Sequence, residues 1–498
     1  MTAVQQAPAA GTPATPPPGA PPATRSPARL RRAPAAPPKG LRRALPRTVA
    51  GRVRAFTALI VVVLVALLAV VWVAVANARH GVRVIGHDAG PQVVATGDLY
   101  FQLTDMDAQL ANALLVGGTG SGRDAALARF DEDRRKAGDA LLKASKLADE
   151  STENQTARQL LEALGKYERL AGQALLLDQR SGHAPGPPGD EVLRLYREAT
   201  TLMKLDLQPK AYNLTLDNGT LVRHTYEEQR SAVLTGRTWT IVTGAVLLVA
   251  LAGLQLFLAV RFRRLLNPAL ALATLGTLVL LVAATTMLSG QAGHLRTAKQ
   301  DGFDSLLALS RTRAISNSAN ADETRFLLDP GRADAYEQVY LSKSQTVLYL
   351  QAHNLADYNQ KIQGDLEFRP GRPVPFLGFL GTEAERSSRP DQVEALRKVL
   401  GEYRRFQAGD RRLRDLVNGG RRSQAVAARS GTAEDFTRYD QALQSLIGIH
   451  QAAFDRAVDD GDGGTSGWYA VVPVAGVVLA LLVLAGVRPR LAEYRFSK

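Results

Sequence analysis

The chain has 498 residues, no cysteine, 46% hydrophobic residues and a formal charge of +14 at pH 7. Without cysteine there can be no disulfide, thiolate metal site or cysteine nucleophile. The charge sits in patches: residues 1–54 hold ten Lys/Arg and no acid, Arg261, Arg263 and Arg264 add three, and the tail from Arg488 adds a net three, leaving −2 for all the rest. Such clustering beside apolar runs follows the positive-inside rule for membrane proteins, and it excludes a nucleic-acid-binding face, which would interleave cations with aromatics.

In chain order, residues 1–54 read as a disordered, Pro/Ala/Arg-rich cytoplasmic tail, with too little apolar surface to offset ordering entropy. Thr24, Ser26 and Thr48 lie beside its arginines as candidate phosphorylation sites. Residues 55–76 form a first membrane span, too long and too far from the N-terminus for a cleaved signal peptide. Residues 77–238 carry apolar stripes at helical spacing: Leu99, Leu103, Met106, Leu110 and Ala113; then Leu127, Phe130, Arg134, Ala137, Leu141 and Ala144; then Ala157, Leu160, Leu164, Tyr167, Ala171 and Ala174. With breaks at 117–122, 149–152 and 181–189, and a bend at Pro209, they predict an extracytoplasmic up-down-up-down four-helix bundle. The Gly-rich run 117–122 lacks the Lys-Ser/Thr ending of a phosphate loop and reads as an interhelical loop.

Spans two (239–260) and three (268–288) form a hairpin closed by the basic cytoplasmic loop 261–267. Residues 289–467 repeat the plan as a second extracytoplasmic bundle, with helices expected over about 332–362, after Pro390, and over about 433–458. The Asp/Gly-rich stretch 459–464 lacks the closing Glu of a calcium loop and reads as a juxtamembrane hinge. The last span is 468–487 and the basic cytoplasmic tail 488–498. A shift of 213 positions lays Asp88 on Asp301, Asp107 on Asn320 and Leu114-Leu115 on Leu327-Leu328. The expected fold class is therefore an all-α membrane protein: four transmembrane helices and two extracytoplasmic four-helix bundles in tandem duplication, with both termini cytoplasmic in a bacterial plasma membrane. Small residues Gly244, Gly253, Gly276 and Gly476 would let the spans approach closely, and Pro473 would kink the last.

This topology leaves no cytoplasmic piece large enough to fold as an enzyme domain. Seven scattered histidines form no HExxH pair, and no cofactor or metal site is expected; the three sequons at Asn154, Asn213 and Asn218 read as chance. Uncharged spans argue against an ion-coupled transporter. Two stretches stand out. The polar mid-section of the helix after span three holds Arg313, Asn317, Asn320, Asp322 and Glu323, and reads either as a solvated helix or as a recognition surface. The apolar loop with Phe376, Leu377, Phe379 and Leu380 reads either as a partner site or as a patch folded onto its own bundle. Inside, Arg261, Arg263, Arg264, Arg488, Arg490 and Arg495 are the candidate output residues.

The segments LTDMDAQLANALLVGG, LALSRTRAISNSANADETRFLL, FLGFLGTE and the terminal HQAAFDRAVDDGDGGTSGWYAVVPVAGVVLALLVLAGVRPRLAEYR resemble the actinobacterial GlnX-type membrane protein. That resemblance implies a partnership with an extracellular amino-acid-binding lipoprotein and a cytoplasmic Ser/Thr kinase. It implies a relay of glutamine, glutamate or aspartate availability. Independently of the resemblance, the expected partners are plasma membrane lipids around the spans and a second copy of the chain in a homodimer. A direct chemoreceptor-like sensor and a cell-envelope scaffold are the alternative readings.

Overall fold

The computed structural model describes residues 49–118, 120–147, 151–262, 267–364 and 368–493. The tail with Thr24, Ser26 and Thr48, and the output candidates Arg263, Arg264 and Arg495, lie outside them. The described residues from Val53 onward belong to one unit. They are almost wholly helical, with no strand among them and one isolated antiparallel bridge, Tyr349 to Leu377.

Helices α1 (Val49–Arg83) and α2 (Gly90–Val116) are joined without a break by a π-helical segment, Val84–Ala89. Helix α3 (Ser121–Leu147) comes back, α4 (Ser151–Ser181) rises again, and α5 (Asp190–Leu202) passes through a second π segment, Met203–Leu207, into the 55-residue α6 (Gln208–Phe262). The expected bend at Pro209 is thus met by a change of register. Proline offers no N–H to the carbonyl four residues back, and an i→i+5 turn (Gln208 N–H to Met203 O) precedes it. Helix α7 (Pro268–Arg296) passes through a third π segment, Thr297–Phe303, into α8 (Asp304–Leu328). The first and third π segments begin 213 positions apart, the shift that aligned the halves in sequence.

Four stretches are long and apolar enough to cross a membrane: Gly51–Val116, Asp190–Val260, Pro268–Leu328 and Arg422–Pro489. Each continues well past its apolar part, so the chain is a multi-pass membrane protein whose spans carry on into the polar module. In the membrane layer Ile60, Leu67, Leu254, Leu280 and Leu479 are buried between helices, while Val62, Leu256 and Val279 face outward. Gln255 on α6 donates to the Leu270 carbonyl (3.0 Å) and Thr274 Oγ1 (2.7 Å) of α7, giving a polar group in hydrocarbon two partners. A Cβ at Gly244, Gly276 or Gly476 would meet a leucine of a neighbouring span at 3.0 Å or less; Gly253 faces open space.

The second half departs from a plain four-helix plan. The helix expected over 332–362 is two: α9 (Ala333–Val347) and α10 (Leu355–Gly364), separated where Tyr349 pairs with Leu377. A further short helix, α11 (Gly378–Arg386), occupies the expected loop before α12 (Pro390–Asn418). The last long helix, α13, begins at Arg422 and runs to Thr465, so residues 459–464 are helical where a hinge was expected. Gly461 and Gly464 let α13 press on Val82 and Gln291, where the chain wants small residues instead of a flexible joint. A two-residue turn leads into α14 (Trp468–Glu493), which holds Pro473. One apolar core joins the halves: Leu110, Tyr167 and Tyr196 share it with Phe326, Leu328 and Leu413. The α3 stripe also needs one correction, because Asp133 is buried beside Phe130 and Ala137 while Arg134 is exposed.

Candidate functional site

Helix α8 is the axis of the polar module. Its residues from Ser316 to Leu328 are all buried, because α2, α9 and α13 surround it. Small side chains (Ala314, Ser316, Ala319, Ala321) permit that crowding, and the polar ones must then find partners inside the protein. Against α2 the packing is parallel and in register. A Cβ at Gly97 would lie 3.4 Å from that of Ser310; Asn317 donates to Asp105 Oδ1 (3.1 Å) beside Thr104; Thr324 donates to Asn112 Oδ1 (2.8 Å). These contacts recur every seven or eight residues, as in a parallel two-stranded coiled coil.

A fully buried ionic network closes the seam. Arg325 donates to Asp107 on α2, to Asp322 one turn back, and to the Tyr196 hydroxyl on α5 (2.9 Å). Asp107 also accepts from Tyr167 of α4 (3.2 Å) and Thr200 of α5 (2.7 Å). Asp322 accepts from Lys204 of the second π segment (2.9 Å) and from Lys343 of α9. Burial opposes the charge on Asp322, but Lys343, Lys204 and Arg325 together hold its carboxyl well below the usual range. Burial likewise draws the Lys343 ammonium down to about 8, against the pull of Asp322. The network thus ties α2, α4, α5, the second π segment, α8 and α9 into one electrostatic unit that spans both halves.

Nearer the membrane, α13 touches the π segments of both halves. Gly86 is in van der Waals reach of Val458, and Gly302 of Phe454. His87 hydrogen-bonds Asp462 (2.8 Å). His450 bonds the Asp301 carbonyl (2.8 Å) through Nδ1 and the Glu383 carboxylate of α11 (2.7 Å) through Nε2. Burial pushes the His450 pKa down, but the hydrogen bond and charge of Glu383 outweigh it and leave the pKa raised.

The sequence candidates fall as follows. Asn317, Asn320, Asp322 and Glu323 are buried, so the mid-section of α8 is neither solvated nor a docking face in this arrangement. Burial pushes the Glu323 carboxyl up, opposed by the Arg429 charge. Arg313 is half-buried, forming a two-pronged pair with Asp440 (2.6 and 3.0 Å) over the Phe101 ring. Phe376 and Leu380 enter the core of the second half, Phe379 is half-buried, and only Leu377 is well exposed, at 59%. Arg261 is the penultimate residue of α6, and Arg488 and Arg490 lie on α14, which stays helical past the span; Arg488 is exposed. Sequence reasoning missed Asp107, Tyr196, Lys204, Arg325 and Lys343. A signal for Arg325 was present: a lone arginine one position before the apolar Phe326-Leu327-Leu328 needs a buried acid.

The fold and its buried seam define a multi-pass, all-helical membrane protein whose spans issue from one polar module. Residues 81–227, from the end of α1 through the first part of α6, match the family described as the actinobacterial sensor domain. This stretch, about 30% of the chain, is thus similar to an actinobacterial sensor domain. No curated protein and no solved structure matches the chain.

Proposed function

We propose that the protein is a non-enzymatic transmembrane signal transducer. In this reading the polar module lies outside the plasma membrane, both termini lie inside, and the module relays amino-acid availability from a solute-binding lipoprotein to a cytoplasmic Ser/Thr kinase. The observation that carries the transducer reading is continuity. The spans run on as helices into the module, where Arg325 and its partners lock the two halves together. A change in module packing then becomes a tilt, rotation or axial shift of the spans, on the order of 1–2 Å.

The sensor-domain match supports the sensing part. The resemblance to the GlnX-type protein supports the lipoprotein and the kinase, and the recurrence of π segments 213 positions apart supports a duplicated unit. For partner docking outside, the accessible part of the loop is Leu377 beside the exposed ring of Tyr349. For output inside, the positions are the loop after Arg261 and the helical extension with Arg488 and Arg490. In-cell cross-linking with identification of neighbours tests the relay. Recovery of a solute-binding lipoprotein and a Ser/Thr kinase is expected; recovery of neither contradicts it.

A further inference from the structure

At the membrane-distal end of the module a cavity of about 580 Å³ opens between the two halves, walled by α2 and α3 on one side and by the start of α13 on the other. Its size lies within the range of small-molecule sites. Leu115, Val116, Ala126, Val426 and Ala427 make most of its wall apolar. Gln109, Asn112, Ser423 and Ser430 add neutral polar groups, and the charged ones are of one sign: Arg129 and Arg429 line it, and no carboxylate is among the described residues that do. Arg429 is committed to the framework, donating to Thr324 Oγ1 (2.9 Å), Thr432 Oγ1 (3.1 Å) and Asn320 Oδ1 (2.7 Å), with the Glu323 carboxylate 3.9 Å away. Arg129 is different. It is exposed and makes no ion pair with a described carboxylate, the nearby exposed Glu132 acting on it only through its charge, so its guanidinium is available to a ligand. The first turn of α13, with Ser423 at the cavity, has no side-chain cap, so the positive end of its helix dipole adds potential to the same wall.

We infer that this cavity is a ligand site for a small organic monocarboxylate with an apolar tail, its carboxylate on Arg129 and its tail against the wall of alanine, valine and leucine. A free ammonium group would find no counter-charge there, which disfavours zwitterionic amino acids and excludes amines. Because the two walls belong to different halves, the occupant bridges them. The inference deepens the sensing role with a direct binding site, but it needs neither the lipoprotein nor the kinase. Failure of the binding experiment leaves the cross-linking result untouched, and the converse holds.

The test is equilibrium binding to the full-length protein in lipid nanodiscs, read by ligand-observed NMR and calorimetry. Three probes share one tail: 3-phenylpropionate, L-phenylalanine and 3-phenylpropylamine. Saturable binding of the acid is expected, with weaker binding of the zwitterion and none of the amine. Arg129→Gln should weaken the acid about tenfold, the loss of one charge-assisted hydrogen bond. Ala427→Trp, an exposed position whose new ring fills the cavity, should abolish binding while leaving the helical signal unchanged. No saturable binding of the acid, equal binding of the amine, or full affinity in either variant overturns the inference.

Discussion

Replacing Arg325 with methionine isolates the worth of the buried network. The substitution keeps an unbranched apolar stem and removes only the guanidinium. Asp322 would still have Lys204 at 2.9 Å and Lys343, so its charge stays compensated. Asp107 would keep only the hydroxyls of Tyr167 and Thr200, with no cation. A buried ion left without its partner costs about 3–5 kcal/mol. At roughly 2–4 °C per kcal/mol for a domain of this order of size, the thermal midpoint should fall by about 10 °C. Asp107→Asn should be milder, since Arg325 would retain Asp322 and Tyr196. The double variant Arg325→Met/Asp107→Asn should recover about half of the loss, because no unpaired charge remains. The assay is thermal loss of helical ellipticity for the full-length protein in nanodiscs at pH 7. Arg325→Met within about 1 kcal/mol of wild type, or a double variant no better than Arg325→Met, would refute this reasoning.

Three further outcomes are expected. The pKa of His450 is raised in the folded protein, so the stability it contributes is full below its unfolded value near 6.5 and is lost as pH rises through the folded value. His450→Gln should therefore lose about 2 kcal/mol near pH 6 and little near pH 9, measured by thermal melts across that range. Asp133 is buried, and the charge of neighbouring Asp105 adds to burial in holding its carboxyl far above the ordinary 3.8. The folded state keeps a proton that the unfolded chain has lost, so stability falls as pH rises above about 4, and Asp133→Asn should be about 1–3 kcal/mol more stable at pH 8 with a flatter pH profile. A Cβ at Gly302 would sit 2.8 Å from Cβ of Phe454, so Gly302→Val should cost about 1–3 kcal/mol, checked by the same melts.

The membrane layer and the first half were legible because their burial has one side. Ala157, Leu160, Leu164, Tyr167, Ala171 and Ala174 are all buried, as their spacing requires of a helix with one core face. Helix α8 misled because it has no solvent face. Ser316, Asn317, Asp322 and Arg325 are as polar as surface residues, and tertiary partners as far as 118 to 218 positions away along the chain show why they can be inside. The break at Tyr349 escaped for a similar reason, since its backbone pairs with Leu377, which no local pattern announces. Residues 459–464 read as a hinge because glycine is a poor helix former. Packing against Val82 and Gln291 overrides that propensity and makes glycine necessary there.

The central structural claim is that α2 and α8 lie side by side in parallel register, so that the halves move as one. The chain has no cysteine, and Gly97 and Ser310 bring their Cβ positions to 3.4 Å, close to the disulfide range of about 3.5–4.5 Å. The direct measurement is the double variant Gly97→Cys/Ser310→Cys, with a protease site inserted between residues 263 and 266, oxidised in intact cells by a membrane-impermeant reagent and cleaved after extraction. The two halves should stay together on a non-reducing gel and separate once reduced, whereas either single variant should separate at once. Halves that part without reductant would contradict the packing on which the transduction account stands.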